Sequence, residues 1–310
     1  MANRLRRRLT ELQSIERKAL VCFITAGDPR VEATVPALHA LVAAGADVIE
    51  LGVPFSDPEA EGPAIQRASE RALAQGMTLR GAMAQVEAFR AEDNDTPVVL
   101  MGYLNSVLRY GEVEFAQAAK AAGVDGLIMV NLPPEEGQSL QQALGAEGID
   151  LIYLIAPTTT PERQDLILER CGGFVYYVSL KGTTGAGNLQ PEVVRQAVAG
   201  VKARTDLPVM VGFGIKNGDS ARAVAEGADG VVVGSALVDI LGNDFPEEAS
   251  SSTADDTPSG DTDDHADAGP DVDLVDAGAS VDTEAALAER TAAAAALVAE
   301  IREALDSLAG

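Results

Sequence analysis

Eight short runs of β-branched and apolar residues recur along this chain, each followed by a stretch of helical periodicity. That alternation restricts the fold more than any other feature. The runs are Leu20–Thr25, Val48–Leu51, Val98–Met101, Gly126–Val130, Leu151–Ile155, Phe174–Ser179, Val209–Val211 and Gly230–Val233. Their continuous apolar character is that of parallel strands covered on both faces. The segments between them, such as Val31–Ala44 and Glu112–Ala122, space their apolar residues as amphipathic helices do. Three connections carry the same signal: Ala44-Gly45-Ala46-Asp47, Ala122-Gly123-Val124-Asp125 and Glu226-Gly227-Ala228-Asp229. In each, the glycine is placed to cap a helix before the next strand begins. Eight such units within about 240 residues predict a closed (β/α)8 TIM barrel, with an open doubly wound sheet as the alternative. At the N-terminus, Leu5, Leu9 and Leu12 follow helical spacing among Arg4, Arg6, Arg7 and Arg8. Glu11 and Glu16 in the same stretch argue against a targeting peptide, so a helix capping the base of the barrel is expected.

The pattern stops after Leu241. Residues 244–282 are rich in Asp, Ser, Thr, Gly and Pro, and too poor in apolar residues to offset chain entropy. A disordered acidic insertion is expected there. Helical character resumes at Thr283, with Leu297, Ile301, Leu305 and Leu308 on one stripe. Residues 1–243 together with 283–310 are therefore read as a single barrel domain. Twelve acidic residues and no Lys or Arg fall between Asp244 and Asp276. Removing them from the chain's 48 acidic residues leaves 36, against 23 Lys and Arg, so the remainder is acidic too. The net charge of −25 argues against nucleic acid as a partner. It fits halophilic adaptation, in which salt screens self-repulsion. No apolar run approaches the length of a membrane span. The two cysteines, Cys22 and Cys171, form neither a disulfide framework nor a metal-ligand spacing. A reducing, cytoplasmic setting and no metal are expected.

Active sites of such barrels lie at the C-terminal ends of the strands. Glu50 sits near the end of the second run, inside Val48-Ile49-Glu50-Leu51. A carboxylate in such a run pairs with a cation, ends the strand at the surface, or does chemistry. The loop that follows carries Asp57, Glu59 and Glu61 and is stiffened by prolines. Two carboxyl groups about ten residues apart can then face one cavity and divide acid and base work. Glycines after the sixth run (Gly182 to Gly187, including Gly185), after the seventh (Gly212, Phe213, Gly214) and at Gly234-Ser235 read as phosphate contacts. Loops after the last two strands form the usual phosphate cradle of these barrels. Lys181, just beyond the sixth run, raises a Schiff-base aldolase as a rival, but its Gly/Thr-rich surroundings offer no desolvated pocket.

The stretch Glu50-Leu-Gly-Val-Pro-Phe-Ser-Asp-Pro58, with Gly62-Pro63-Ala64-Ile65-Gln66, resembles the signature of the tryptophan synthase α chain family. So do Phe23-Ile-Thr-Ala-Gly-Asp-Pro29, Met101-Gly-Tyr-Leu-Asn105, Thr184-Gly185, Gly212-Phe-Gly-Ile215 and Gly234-Ser235. The resemblance implies a carbon–carbon lyase of tryptophan biosynthesis, cleaving indole-3-glycerol phosphate to indole and glyceraldehyde 3-phosphate. It implies Glu50 as principal acid/base, and an indole pocket of Phe23, Tyr103, Ile128, Leu154 and Tyr176, with Phe213 beside it. It also implies a lid containing Lys181 and Thr184. The family's second carboxylate is an aspartate in Ala-Asp-Gly-Pro, where this chain has Ala60-Glu61-Gly62-Pro63. Glu61 keeps the charge and adds a methylene. A second departure is Asn131, where the family usually has aspartate. The implied partner is a pyridoxal-phosphate-dependent β subunit in an αββα hetero-tetramer, touched by Pro54–Pro58 and the segment near Asn105. No cofactor is expected in this subunit. The alternative is a catalytically weak subunit that mainly activates its partner.

Overall fold

The computed structural model describes residues 3–179, 191–212, 214–242, 245 and 281–308. The strands are β1 (Ala19–Thr25), β2 (Val48–Gly52), β3 (Val98–Gly102), β4 (Gly126–Met129), β5 (Asp150–Ile152), β6 (Leu154–Ile155), β7 (Val175–Val178), β8 (Val209–Gly212) and β9 (Gly230–Val233). All neighbouring pairs are parallel, in the order β5-β4-β3-β2-β1-β9-β8-β7-β6. The first and last strands pair, and β5 and β6 are two halves of one run divided at Tyr153. The ring therefore closes through residues 150–155, where the Tyr176 N–H donates to the Tyr153 carbonyl. Nine strands stand where eight runs were expected, because that fifth run breaks in two. An open sheet is excluded.

The helices are α1 (Arg4–Ser14), α2 (Thr34–Ala43), α3 (Pro63–Ala74), α4 (Leu79–Arg90), α5 (Leu104–Tyr110), α6 (Glu112–Ala122), α7 (Gln138–Ala146), α8 (Pro161–Leu168), α9 (Pro191–Lys202), α10 (Gly218–Ala225), α11 (Ser235–Gly242) and α12 (Val281–Asp306). Successive side chains along each strand alternate between two apolar compartments. Cys22, Ile24, Ile49 and Leu51 point outward to the helices. Val21, Val48, Val99, Ile128, Ile152, Phe174, Met210 and Val232 fill the barrel. Into the bottom of that interior α1 inserts Leu5, Leu9 and Leu12, each at most 3% exposed. Burying each leucine is worth roughly 2 kcal/mol, so the helix is a plug as well as a lid.

Arginines on the polar side of α1 meet a ring of aspartates at the strand entrances. Arg4 pairs with Asp125, Arg6 with Asp150 and Arg8 with Asp47. Asp47 also receives Arg302 from α12 at 3.0 Å. These aspartates include the last residues of the repeated Gly-containing connections. Asp47, Asp125 and Asp229 accept the backbone N–H groups of Leu20, Val98 and Val209 at 2.9, 3.0 and 2.9 Å. Each carboxylate thus ties its own strand entrance to a neighbouring strand. Of the three glycines, Gly45 and Gly123 adopt φ of +111° and +92°, as a helix-ending glycine should. Gly227 does not. Among the described residues, no helix is long and apolar enough to cross a membrane. No group of three or more His, Cys, Asp or Glu among them could hold a metal ion. Of the expected acidic insertion 244–282, Phe245 is described and Val281 and Asp282 already belong to α12, two residues earlier than expected; the remainder, and the side chains of those two, lie outside the described residues.

Candidate active site

Strand β2 sets the position of Glu50. Val48 points into the barrel, so two residues on Glu50 must do the same, among apolar neighbours rather than toward the helices. The residue is 1% exposed, and its Oε2 has no hydrogen-bond partner among the described residues. Burial first, and the nearby Glu61 second, push its carboxyl up from 4.5 to about 8. Glu61 lies beside the mouth, on the loop just before α3, and burial pushes it up to about 7. Both acids therefore sit within reach of neutral pH, where a proton can move either way. A buried, unpaired carboxyl is costly, and such groups concentrate where they do chemistry.

A solvent-open cleft has Glu61 in its wall. Its walls include Phe23, Phe55, Tyr103, Met101, Ile65 and Glu61, with Thr25 and Ser69 as polar members. Phe55 stacks on Tyr103 with ring centroids 4.7 Å apart. The Ala60 N–H donates to the Tyr103 hydroxyl at 3.1 Å. Of the five expected indole-pocket residues, Phe23 and Tyr103 line this cleft. Ile128 is fully buried in the barrel interior, while Leu154 and Tyr176 are half-buried and pack against the same cluster. Tyr176 is close enough to Glu50 and Glu61 that their charges, after burial, hold its phenol well above its usual value.

On the far side, Gly212 ends β8. A Cβ there would lie 2.3 Å from the Tyr176 hydroxyl, so glycine is what admits that side chain. Gly214 follows with φ +79°. Gly234 immediately precedes α11, and its carbonyl accepts the first intrahelical N–H groups, from Leu237 and Val238. The N–H groups of Ser235 and Ala236 precede those bonds and face the helix entrance, an arrangement that suits an anion. Ser235 is exposed there. Lys181, Thr184, Gly185 and Phe213 lie outside the described residues. At the second departure from the family pattern, Asn131 accepts the Leu104 N–H at 2.9 Å through its side-chain oxygen. The neutral amide keeps the acceptor and drops the charge.

Sequence reasoning overlooked Thr25, Ser69 and Phe55 as cleft residues. Thr25 was accessible to it, since strand periodicity puts it on the face of Phe23. Ser69 was not, because helix α3 brings it in from the side.

Comparison with known proteins agrees with this geometry. Residues 9–265 match the family model described as tryptophan synthase alpha chain. The chain belongs to that family. The tryptophan synthase alpha chain of Alkalilimnicola ehrlichii is 55% identical over 236 residues, covering 76% of this chain and 86% of that one. The Burkholderia thailandensis alpha chain is 53% identical over 249 residues, covering 80% and 92%. Among solved structures, tryptophan synthase subunit alpha from Legionella pneumophila superposes with a TM-score of 0.80 at 39% identity, covering 99% of this chain and 100% of that one. A tryptophan synthase chain from Mycobacterium tuberculosis gives 0.77 at 35% identity, covering 98% and 99%.

Proposed function

We propose that this chain cleaves indole-3-glycerol phosphate by a retro-aldol reaction, giving indole and glyceraldehyde 3-phosphate. The observation that carries the reading is Glu50: a buried carboxyl, its Oε2 without a partner among the described residues, held neutral by burial and electrostatically linked to Glu61 in the wall of an aromatic-walled cleft. In the proposed reaction, protonated Glu50 delivers its proton to indole C3. The ring nitrogen becomes positive, and its N–H donates to the Glu61 carboxylate, which stabilises the charge. As the bond between C3 and the side chain breaks, its electrons return to the ring. The proton of the adjacent side-chain hydroxyl passes to the Glu50 carboxylate, and that carbon leaves as an aldehyde. Glu50 ends protonated, as it began, and no oxidant or reductant is needed. The substrate phosphate would sit against Gly212, Gly214, Gly234 and Ser235, with Gly185 and Phe213 contributing, and Lys181 and Thr184 would close over it.

The family resemblance supports a β subunit as partner, in a hetero-tetramer, to which indole is passed. Pyridoxal phosphate would belong to that subunit, and this chain is assigned no cofactor. A cytoplasmic setting fits such a biosynthetic role. The test is an indole-release assay on the isolated chain, with and without the β partner. Glu61→Gln should abolish turnover while Asp57→Asn leaves most of it. The reverse outcome would overturn the assignment of Glu61. Release of indole only in the presence of the partner would favour the activating-subunit alternative.

A further inference from the structure

The loop that carries Glu61 touches Tyr103 twice. Near its start, the Phe55 ring lies stacked on the face of the Tyr103 ring, 17° from parallel. At its end, the backbone N–H of Ala60 donates to the Tyr103 hydroxyl. Ala60 directly precedes Glu61, so this bond holds the Glu59–Ala60 peptide plane, one residue ahead of the acid. The Glu61 backbone is held on its other sides as well. Its N–H donates to the Pro58 carbonyl at 3.0 Å, and its carbonyl accepts from Gln66 Nε2 at 2.9 Å. Tyr103 is itself fixed: it is 7% exposed and immediately precedes α5, whose first N–H is tied to Asn131. Packing and hydrogen bonds therefore run unbroken from Asn131, after β4, through the start of α5 to Glu61.

We propose that the Tyr103 hydroxyl is a positioning group that clamps the β2–α3 loop and sets the reach of the Glu61 carboxylate. This rests on the reading of Glu61 as the second carboxylate. Glutamate has one more side-chain torsion than aspartate, so a wandering backbone would scatter its carboxylate over a wider volume. Displacement of a catalytic group by about 1 Å can lower a rate by about a hundredfold. The clamp confines the backbone at the residue next to the acid and so makes the longer side chain usable. Phenylalanine at 103 would keep the stacked ring and the apolar wall. It would leave the Ala60 N–H without its acceptor.

The decisive comparison uses the full chain and indole-3-glycerol phosphate, with Tyr103→Phe, Glu61→Gln, Glu61→Asp and the double variant Tyr103→Phe/Glu61→Asp. Tyr103→Phe should lower kcat by about tenfold to a hundredfold, with KM near that of the wild type. Its pH profile should change too. Among the described residues, the groups electrostatically linked to Glu61 are Glu50, Tyr103 and Tyr176, and Glu59 lies close to the same Tyr103 ring. None of these is a cation, so a freed Glu61 gains only hydration, and the acid limb of the profile should move to lower pH. The Tyr103 and Glu61 penalties should be non-additive, because one acts through the other. Wild-type kcat and an unmoved acid limb in Tyr103→Phe, with Glu61→Gln inactive, would overturn the clamp and leave the role of Glu61 standing. An active Glu61→Gln would overturn both. If Tyr103→Phe does not fold, Phe55→Leu removes the other contact of the clamp and should move the same limb. An unmoved limb there would also refute it.

Discussion

Replacing Glu50 by glutamine should abolish turnover and, above neutral pH, make the protein more stable. Burial holds the Glu50 carboxyl at about 8, against an ordinary value of 4.5. Because the folded-state value is the higher one, folding favours the protonated form. The associated stability is fully present below about pH 4.5 and is lost as pH rises through about 8. Each tenfold gain in proton affinity on folding corresponds to about 1.4 kcal/mol, so by pH 8 the wild type should have lost about 3–5 kcal/mol relative to a neutral isostere. The glutamine amide carries its own cost, about 1–3 kcal/mol for an unsatisfied buried donor, but that cost does not vary with pH. The slope, rather than the offset, is therefore diagnostic. Between pH 5.5 and 7.5 the wild type should lose about 1.4 kcal/mol per pH unit more than Glu50→Gln. The chain has no tryptophan, so urea unfolding followed by far-ultraviolet circular dichroism is the suitable assay. Parallel curves of stability against pH for the two proteins would refute the claim that Glu50 is held neutral by burial.

Gly212→Ala would place a Cβ 2.3 Å from the Tyr176 hydroxyl and 2.5 Å from the ring carbon Cε1; it should raise KM or lower kcat in the indole assay, and the added change Tyr176→Leu, which removes the ring as well as the hydroxyl, should recover part of the loss. Asp47→Ala would remove the buried carboxylate that Arg8 and Arg302 share at the barrel base, leaving Arg302 its pair with Asp306 and Arg8 its pair with Glu11, and free the Leu20 N–H. Removing one partner of a buried pair typically costs about 3–5 kcal/mol, so the urea midpoint should fall sharply while KM holds. If the acidic surface is an adaptation to salt, the melting temperature should rise with KCl, and a melting temperature independent of KCl would contradict it.

The strands and Glu50 were legible in the sequence for the same reason: parallel strands read as unbroken apolar runs, and a carboxylate inside one stands out. The cap helix was legible because three leucines at helical spacing survive among arginines. Depth was not. Periodicity puts Ile128 and Tyr103 on their faces, yet only the assembled barrel distinguishes the buried floor from the cleft wall. The aspartates of the repeated connections were visible as residues, but their task was hidden. Each accepts an N–H from a strand 20 to 27 positions away, and no local pattern encodes such a bond. The same holds for Ala60 and Tyr103, 43 positions apart. The division at Tyr153 was likewise invisible, because a run of Leu, Ile and Tyr continues through it.

The pH dependence of kcat/KM for indole release tests the division of labour between the two acids most directly. Glu61 must be ionised and Glu50 protonated, so the profile should be a narrow bell, with an acid limb near 7 and an alkaline limb near 8. Glu50→Gln should be inactive throughout. Turnover by Glu50→Gln, or a wild-type profile flat from about pH 6 to 9, would contradict the account.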